Sequence, residues 1–298
     1  MFTVLTTTYN RVELLKRLYN SILEQNLDTE WVVVDDGSTD GTRDFFESIE
    51  TSDSLAVKYI YQNNMGKHRA LNQGIKYVSN DWVAIIDSDD FISPFTFKKV
   101  KHHIERLSLN KREDIAAIIF NSKFSDGSVV GTEFPFYEYM GKTYQYYDKY
   151  KIKGDKFDFY KLNVLKLFPF PEIPGEKFIT EGIVWSRIND KYDSYFINEA
   201  YQVVEYLEGG LSNLSFLNRM KSPTGACLYY YEASLRNISN IKNFRNISNY
   251  FRFRFHGGNP KLTPLFSCVN KVYFFAFFLG FLLFLSDFIN FQKKRLFK

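Results

Sequence analysis

Apolar and polar positions along the first 120 residues follow a pattern that predicts strands and helices in turn. Short apolar runs, typical of buried parallel strands, lie near residues 2–7, 31–35, 57–61, 82–87 and 115–120. Helices are predicted near 12–25, 41–50, 67–78 and 94–108. The first of these has an apolar stripe at helical spacing, formed by Leu14, Leu15, Leu18, Ile22 and Leu23. The alternation predicts an α/β fold, a mostly parallel sheet with helices on both faces.

The middle of the chain follows a different pattern. Asp126-Gly127 predicts a hairpin turn, with a returning strand at 129–132. The proline-rich segment 168–175 predicts an irregular loop. Thr180 is expected to cap a helix that runs from Glu181 through Arg187. Helical and polar segments are predicted over 198–250, with a break at 208–212.

The end of the chain contains an uninterrupted apolar run, residues 272–285. A membrane span needs roughly 20 apolar residues, and an extension of the run to residue 291 includes Asp287. Basic residues flank it, namely Arg252, Arg254, Lys261 and Lys271 before, and Lys293, Lys294, Arg295 and Lys298 after. We favour a helix or helical hairpin lying in the cytoplasmic leaflet. A true span, and a helix buried in the fold or in an oligomer interface, stay open.

Composition narrows the class of protein only moderately. The formal net charge of +4 is too small to indicate nucleic-acid binding, and the sequence has no zinc spacing or RNA-binding signature. Aromatic residues make up 18% of the chain, which fits either codon bias or a lipid-facing surface. Cys227 and Cys268 form no disulfide or metal pattern, so we expect a reducing compartment. With no signal-peptide pattern before the first strand, we expect the catalytic half in the cytoplasm.

The strongest candidate for chemistry is Asp87-Ser88-Asp89-Asp90, directly after the apolar run 82–86. Ligands of open α/β sheets bind just past the carboxyl ends of strands. Three crowded carboxylates repel one another, and hard oxygen ligands favour Mg²⁺ or Mn²⁺, often shared with phosphates. The alternative is an acidic turn before the next helix, since Ser93 and Pro94 are typical of a helix start.

Three further polar segments follow predicted strands or open a helix. They are Thr7-Thr8-Tyr9-Asn10, then Val34-Asp35-Asp36-Gly37-Ser38-Thr39-Asp40-Gly41-Thr42, then the series Asn64, Gly66, Ala70, Asn72 and Gly74. In this order, and followed by Asp87, Asp89 and Asp90, they resemble the inverting family 2 glycosyltransferases of the GT-A fold. The resemblance is good over residues 2–120, weaker over 170–190 and poor over the last 80 or so. The first strand is not followed by Gly-x-Gly-x-x-Gly, which argues against a dinucleotide-binding domain.

The resemblance implies a GT-A fold, Rossmann-like, with an aromatic-rich helical C-terminal extension. It implies transfer of a sugar from a nucleotide-diphosphate donor, with a UDP-sugar favoured, to a saccharide acceptor. Together with the apolar tail, it leads us to expect a polyprenyl-diphosphate-linked acceptor and surface polysaccharide assembly at the cytoplasmic face of the membrane. The expected organisation is a nucleotide-sugar half (1–120), an acceptor half (121–210) and an extension (211–298) whose segment 272–291 contacts the membrane.

The same resemblance implies roles for the acidic cluster. Asp89 and Asp90 are expected at the metal, which would be Mn²⁺ or Mg²⁺, and Asp90 is our first choice for direct ligation. Asp89 is also a candidate for the ribose. Asp87 is expected to contact the sugar or to orient its neighbours.

Donor binding is expected from the ends of the first two strands and from the start of the third helix. Thr7 and Asp36 match nucleoside contacts, because an aspartate can accept the N3–H of uracil or thymine, although a turn with Asx-type caps also explains Asp36. Tyr9 is expected either to stack on the base or to be a buried rim aromatic. Lys67, and also Arg69, would lie at a helix start that favours anions, with an exposed cation as the alternative. Asp40 is expected to cap the following helix, and Asn72 to be a structural hydrogen-bonding residue.

The catalytic base implied by the resemblance is Glu181, followed by an aromatic residue and Arg187. This chain has Thr180-Glu181 where an acidic pair ending in Asp is commoner in the family. Glu176 is the runner-up. A first-turn glutamate that complements the helix dipole is the structural alternative for Glu181.

Two other classes of protein compete with this interpretation. A nucleotidyltransferase would need a glycine-rich, basic loop after the first strand, and Thr6 to Asn10 has the wrong chemistry. A non-catalytic module that binds a nucleotide-sugar or a membrane surface remains open.

Overall fold

The computed structural model describes residues 2–50, 54–109, 112–205, 211–236, 240–259 and 271–296. The interpretations of Cys268, of Lys261, of Lys298 and of the break at 208–210 concern residues outside these ranges.

The strands of the described residues belong to one sheet. They are β1 (Thr3–Thr8), β2 (Thr29–Asp35), β3 (Leu55–Tyr61), β4 (Trp82–Ile85), β5 (Phe91–Ile92), β6 (Ile115–Lys123), β7 (Glu138–Gly141), β8 (Lys156–Lys161) and β9 (Asp193–Val203).

Helices connect the strands and form the C-terminal part of the chain. They are α1 (Val12–Leu23), α2 (Thr42–Glu47), α3 (Lys67–Ile75), α4 (Thr96–Leu109), α5 (Thr143–Tyr150), α6 (Leu162–Leu167), α7 (Gly182–Lys191), α8 (Leu211–Lys221), α9 (Pro223–Leu235), α10 (Asn240–Phe255) and α11 (Lys271–Leu296).

The sheet is mostly parallel, as predicted. Its order is β3-β2-β1-β4-β8-β6-β9-β5, and β7 pairs with β9. β1 pairs in parallel with β2 and β4, and β2 with β3. β8 is antiparallel to both β4 and β6, so β6 and its parallel partner β9 run in the same direction as β1. Within the described residues, only β5, β7 and β8 run the other way.

Helices cover both faces of the sheet, which confirms the predicted architecture. On one face, Leu18 of α1 and Phe97 of α4 belong to the same core cluster as Val33 and Phe120. On the other face, α3 approaches so closely that a Cβ atom on Gly74 would lie 2.3 Å from Leu5 Cδ1. Successive residues of a strand point to opposite faces, and every residue of β1 and β2 is buried, so these two strands pack against both layers of helices.

The predicted elements of the first 120 residues are confirmed, with boundaries shifted by a few residues. The segment 168–175 is irregular, as expected. Asp126-Gly127 forms the expected turn, closed by a 2.8 Å bond from Phe124 N to Ser128 O. The returning segment, however, forms only a bridge between Lys123 and Val129 and not a strand. The helix after Thr180 begins at Gly182, so Glu181 immediately precedes it.

The prediction of helical and polar structure from residue 198 onward is wrong for 198–203, which belong to β9. The middle of this strand, Asn198 and Glu199, is polar and only partly buried. The segments on either side are buried, and β9 pairs with β6 along most of its length. Long-range pairing thus overrides the local pattern, as is common for strands.

Two compact units make up the chain. The first comprises Met1–Phe170 and Val184–Leu207, and the second comprises Pro171–Ile183 and Glu208–Lys298. The predicted boundary at residue 210 lies outside the described residues, and the division into donor and acceptor halves stays a prediction.

Within the second unit, α10 and α11 are joined by a buried charge cluster. Arg252 Nε donates to Asp287 Oδ2 at 2.6 Å, and the same oxygen lies 2.9 Å from His256 Nε2. Asp287, which seemed to interrupt an apolar helix, is therefore paired with Arg252 of α10 and with His256, the residue that follows α10. Arg252 is thus bonded to Asp287 within the second unit, and it is not a free basic residue beside the apolar run.

The rest of the surface of residues 272–289 of α11 is largely apolar and open. Among the described residues, α11 is a helix whose segment Val272–Ile289 is long and apolar enough to cross a membrane. Most of that segment is not buried. Its exposed large side chains are Val272, Phe274, Phe275, Phe277, Phe278, Phe281, Leu282, Leu285, Phe288 and Ile289. Within the second unit, α11 is therefore not a buried core helix.

Candidate active site

The carboxyl ends of β1, β2 and β4 lie side by side and bring the predicted motifs to one edge of the sheet. Thr8, the last residue of β1, pairs with Asp35, the last residue of β2. On the other side of β1, Ile86 N donates to Leu5 O at 3.0 Å, just before Asp87. Parallel pairing thus places the segments after β1, β2 and β4 at the same edge.

Asp36 is buried just beyond β2 and fixes the loop that leads into α3. Its Oδ1 accepts the Met65 backbone N–H at 2.8 Å and the Gln62 side-chain amide at 2.7 Å, and its Oδ2 accepts the Gly66 N–H at 2.8 Å. A carboxylate offers about four acceptor positions. One position therefore remains for another donor, and recognition of a base by Asp36 stays a prediction.

Asp40 holds the starts of two helices, in agreement with its expected capping role. Its Oδ2 accepts the Val12 N–H of α1 at 2.9 Å, and its Oδ1 accepts the Thr42 hydroxyl of α2 at 2.6 Å. Burial alone would raise the pKa of Asp40, but these hydrogen bonds lower it overall. Asp40 is therefore a structural acid and not a candidate for ligand binding.

Thr7 and Tyr9 differ in accessibility at the end of β1. Thr7 is buried within the strand, whereas the Tyr9 ring is about half exposed. Tyr9 is thus not the buried rim aromatic of the alternative interpretation. Stacking of Tyr9 on a base, and nucleoside binding by Thr7, remain predictions.

The start of α3 faces the acidic cluster. Lys67, its first residue, places Nζ 2.6 Å from Asp87 Oδ1. Arg69 Nη1 donates to Met65 O at 3.3 Å. Asn72, further along the helix, exchanges two 2.9 Å hydrogen bonds with the backbone of Phe170, which confirms its structural role.

Each carboxylate of the acidic cluster has its own partner in the first unit. Asp87 is paired with Lys67, as described, and Asp89 Oδ2 lies 2.6 Å from Arg11 Nη1. Asp90 Oδ2 accepts a 2.5 Å hydrogen bond from Gln202 Nε2 on β9. The cluster is thus held in a fixed arrangement by groups from α3, from β9 and from the residue before α1.

Burial separates the three acids into two kinds. The side chains of Asp87 and Asp89 are 45% and 17% exposed, whereas Asp90 is only 7% exposed. Burial, followed by repulsion from Asp87 and Asp89, raises the pKa of Asp90 to about 8, although Gln202 and Lys67 oppose the shift. The carboxylates of Asp87 and Asp89 thus create a negative electrostatic potential at Asp90.

The donor set fits a divalent cation that is shared with a diphosphate. Within the described ranges there is no group of three or more His, Cys, Asp or Glu side chains that could hold a metal by itself. Mg²⁺ needs only one or two carboxylates when phosphate oxygens and water complete its octahedron. Asp87 and Asp89 offer such oxygens, and their mutual repulsion would be relieved by a cation.

Apart from Lys67, which was a predicted site residue, the partners of this cluster were missed by sequence reasoning. Arg17 donates to the Asp89 carbonyl at 2.5 Å and to Glu205 Oε2 at 2.7 Å. Gln202 was not identified because its segment was predicted to be helical and polar and not a strand. Arg17 was not identified because it occupies an ordinary polar position of an amphipathic helix. Of these missed partners, Arg11 alone had a local signal, because it directly follows the Thr-x-Tyr-Asn segment.

The two candidate bases lie in the second unit and have different surroundings. Glu176 is buried, and its carboxylate accepts the backbone N–H groups of Thr224 at 2.7 Å and of Gly225 at 2.8 Å. It therefore caps the start of α9. Glu181 is partly exposed just before α7. The choice of Glu181 as the base stays a prediction, but Glu176 already has a structural task.

Comparison with protein families gives a match over more than half of the chain. The model described as glycosyl transferase family 2 matches residues 3–163. An uncharacterized glycosyltransferase of Nostoc sp. is 32% identical over 127 residues, which are 42% of this chain and 37% of the relative. The poly(ribitol-phosphate) beta-N-acetylglucosaminyltransferase TarS of Staphylococcus aureus is 31% identical over 119 residues, which are 37% of this chain and 21% of TarS. The alignments thus cover well under half of these relatives.

Solved structures share the fold. S. aureus TarS 1–349 in complex with UDP-GlcNAc has a TM-score of 0.64 at 21% identity, over 86% of this chain and 73% of that chain. The mannosyltransferase PcManGT from Pyrobaculum calidifontis, in complex with GDP-Man and Mn²⁺, has a TM-score of 0.54 at 17% identity, over 96% and 87% of the two chains. At these identities the likeness concerns the fold alone.

Proposed function

The chain belongs to glycosyl transferase family 2, and we propose that it transfers a sugar from a nucleotide-diphosphate donor to a saccharide acceptor with inversion at the anomeric carbon. The observation that carries the proposal is the single sheet edge at which Asp36, Asp87 and Asp89 meet. At this edge, Asp36 can bind the nucleobase of the donor, and the neighbouring acidic cluster can bind its diphosphate together with a divalent cation. This is the arrangement that a nucleotide-sugar requires.

A UDP-sugar is the donor we propose. The unused acceptor position of Asp36 suits the N3–H of uracil, and the accessible Tyr9 ring can stack on the base. Thr7 lies on the same strand end, two residues before Tyr9. Binding of UDP-GlcNAc by the fold neighbour TarS supports this choice, whereas PcManGT binds GDP-Man.

Asp89, with Asp87 beside it, would hold the Mn²⁺ or Mg²⁺ ion. When bound, the ion neutralises the charge that develops on the departing diphosphate. Asp90 is better suited to brace this pair than to ligate directly, because it is buried and bonded to Gln202. Lys67 is placed to exchange its contact with Asp87 for a phosphate oxygen.

Glu181 would accept the proton of the attacking acceptor hydroxyl. A general base typically contributes a factor of 10²–10⁴ in rate. Attack by the hydroxyl forms the new glycosidic bond as the bond to the diphosphate breaks. A single displacement of this kind inverts the configuration of the sugar.

The acceptor side and the cellular location complete the proposal. The open apolar surface of α11 is a row of exposed large side chains, the kind of patch that marks membrane or partner contacts, and it suits the cytoplasmic leaflet. A membrane-bound enzyme of this kind would act on a lipid-linked saccharide in surface polysaccharide assembly. The activity for which TarS is named, transfer to a poly(ribitol-phosphate), is compatible with a surface glycan as the acceptor.

A donor screen tests the proposal directly. Full-length protein in detergent is incubated with UDP-, TDP- and GDP-sugars, with EDTA or with added Mn²⁺ or Mg²⁺, and nucleotide release is measured. We expect release from a UDP-sugar that EDTA abolishes and Mn²⁺ or Mg²⁺ restores, with an inverted product anomer by NMR. The variant Asp89→Asn should lose most of this activity, whereas Glu13→Gln, an exposed acid of α1, should keep it. Full turnover in EDTA, or retained configuration, would contradict the mechanism.

A further inference from the structure

The acidic cluster forms a tight turn whose third residue is held from outside the turn. Asp90 N donates to Asp87 O at 3.1 Å, which closes the turn. A turn of this kind bonds only its first carbonyl internally, so the Asp89 carbonyl needs another donor. Arg17 Nη2, on α1, donates to that carbonyl at 2.5 Å. The peptide plane after Asp89 is therefore fixed by a residue that lies 72 positions earlier in the chain.

The guanidinium of Arg17 is held on two further sides. Its Nη1 donates to Glu205 Oε2 at 2.7 Å, just past the end of β9. Its Cζ lies over the ring of Phe91, the first residue of β5, at 4.6 Å from the ring centre. A planar guanidinium suits this combination, because it can fork its hydrogen bonds and stack on an aromatic ring. One side chain thus joins α1, the acidic turn, the start of β5 and the end of β9.

Glu205 is itself anchored in the first unit. Its Oε1 accepts the Ser125 hydroxyl at 3.3 Å. The neighbouring Val204 N donates to Lys123 O, the last residue of β6, at 2.9 Å. The segment that carries Glu205 is therefore pinned to β6 and to the turn that follows it. Arg17 is thus tied to a fixed partner and is not a solvent-directed side chain.

Two arginines among the described residues contact Asp89, and the two contacts differ in their relation to a bound cation. Arg11 Nη1 lies 2.6 Å from Asp89 Oδ2, an oxygen that a cation would use. A cation at Asp89 would therefore compete with Arg11. Arg17 bonds to the carbonyl of Asp89 and leaves its carboxylate free. Arg17 can accordingly hold Asp89 in the same position before and after a cation binds.

We propose that Arg17 is a positioning residue of the donor site, which holds the turn so that the Asp87 and Asp89 carboxylates are directed at a shared divalent cation and diphosphate. The inference rests on the proposed function and extends it to a residue outside the ligand-binding edge. Because both terminal nitrogens of Arg17 already bond to protein, Arg17 acts through Asp89 and not on a ligand. Mg²⁺ demands a near-ideal octahedron of oxygen ligands, so a turn that is free to rotate would bind the cation more weakly.

Positioning and simple electrostatics predict opposite effects when Arg17 is removed. Deletion of a positive charge beside an acidic cluster should strengthen the attraction of the cluster for a cation, by Coulomb's law. Loss of the contact that fixes the turn should weaken cation binding instead. The sign of the change in Mn²⁺ affinity therefore separates the two effects, and no turnover is needed.

A Mn²⁺ titration of full-length protein in detergent tests the positioning role. Mn²⁺ is added at saturating UDP, and the EPR signal of the free ion gives its affinity for the protein. Samples without protein correct for Mn²⁺ that UDP binds alone. Arg17→Met should weaken Mn²⁺ binding by about tenfold, which is about 1.4 kcal/mol. Arg17→Lys keeps the charge but cannot fork to both partners, so it should weaken binding by only about threefold.

Two matched variants remove a cation that does not contact the turn. Lys16→Met changes the preceding residue of α1, which pairs with Glu13 of the same helix at 2.7 Å. Arg106→Met breaks an arginine–carboxylate pair, with Glu138, that is about as exposed as the pair formed by Arg17. Both should change Mn²⁺ affinity less than about twofold, because exposed ion pairs contribute little. Urea unfolding of every variant shows that binding is measured on folded protein.

Each outcome decides the matter. Unchanged or tighter Mn²⁺ binding by Arg17→Met overturns the positioning role, as does an equal loss in the two control variants. If Arg17→Met does not fold, Arg17→Lys decides by the same criterion, and Mn²⁺ affinity equal to that of the parent overturns the role. A parent protein that binds neither UDP nor Mn²⁺ would contradict the proposed function, and the positioning role would fall with it.

Discussion

Glu176 and Glu181, five residues apart, are expected to fail in different ways when each is replaced by glutamine. Glu176→Gln should destabilise the second unit, because the buried carboxylate accepts two backbone N–H groups at the start of α9. Glu181→Gln should cost no more than about 0.3–1 kcal/mol, because Glu181 is a partly exposed acid just before α7 and only its charge at the helix start is lost. It should, however, abolish transfer, since an amide cannot accept the acceptor proton.

The size of the Glu176 effect follows from its contacts. Hydrogen bonds to a charged group contribute about 1.5–3 kcal/mol each, and the charge at a helix start adds about 0.3–1 kcal/mol. Glutamine keeps one acceptor oxygen but turns its NH₂ group toward an N–H donor. We therefore expect a loss of about 3 kcal/mol in the free energy of unfolding.

Two measurements on each variant distinguish the roles. Urea unfolding followed by fluorescence gives the stability, and sugar transfer per folded molecule gives the activity, with donor binding as the check on the diphosphate site. Glu181→Gln should lose no more than about 0.3–1 kcal/mol of stability and should bind UDP with the same affinity as the parent. If Glu176→Gln unfolds like the parent but loses transfer, while Glu181→Gln keeps transfer, Glu176 is the base and the assignment is wrong.

Three further outcomes are expected. Burial raises the pKa of Asp158 to about 7. The contribution of Asp158 to stability is therefore fully present below about pH 4 and is lost as pH rises through 7. Asp158→Asn should remove up to about 4 kcal/mol of this pH dependence, measured by urea unfolding between pH 4 and 8. Gly74→Ala should cost about 1–3 kcal/mol in thermal unfolding, since its Cβ would overlap Leu5, and an unchanged melting temperature would refute the close approach of α3. A triple variant tests the membrane contact, with serine in place of Phe274, Phe278 and Leu282, which are all exposed on α11. We expect its binding to anionic vesicles in sedimentation to be at least about a hundredfold weaker. Equal binding would exclude this surface as the membrane contact.

The sequence by itself determined the first half of the fold. Apolar runs of strand length alternate with helical stripes, and this local periodicity correctly predicted β1 to β4 and α1 to α4. It also predicted which polar segments follow strands. Because strands of a parallel sheet end at one edge, the sequence alone was enough to expect ligand binding just past those strand ends.

Only the tertiary structure decided which groups hold those residues. The partner of Asp90 is Gln202, 112 residues away, and Arg17 joins Glu205 across 188 residues. Glu176 meets the start of α9 48 residues later, which gave a structural role to a residue that sequence alone left as a candidate base. β9 was missed for the same reason, since its stability comes from pairing with β6. Local patterns specify elements, but contacts between distant segments depend on how the whole chain packs.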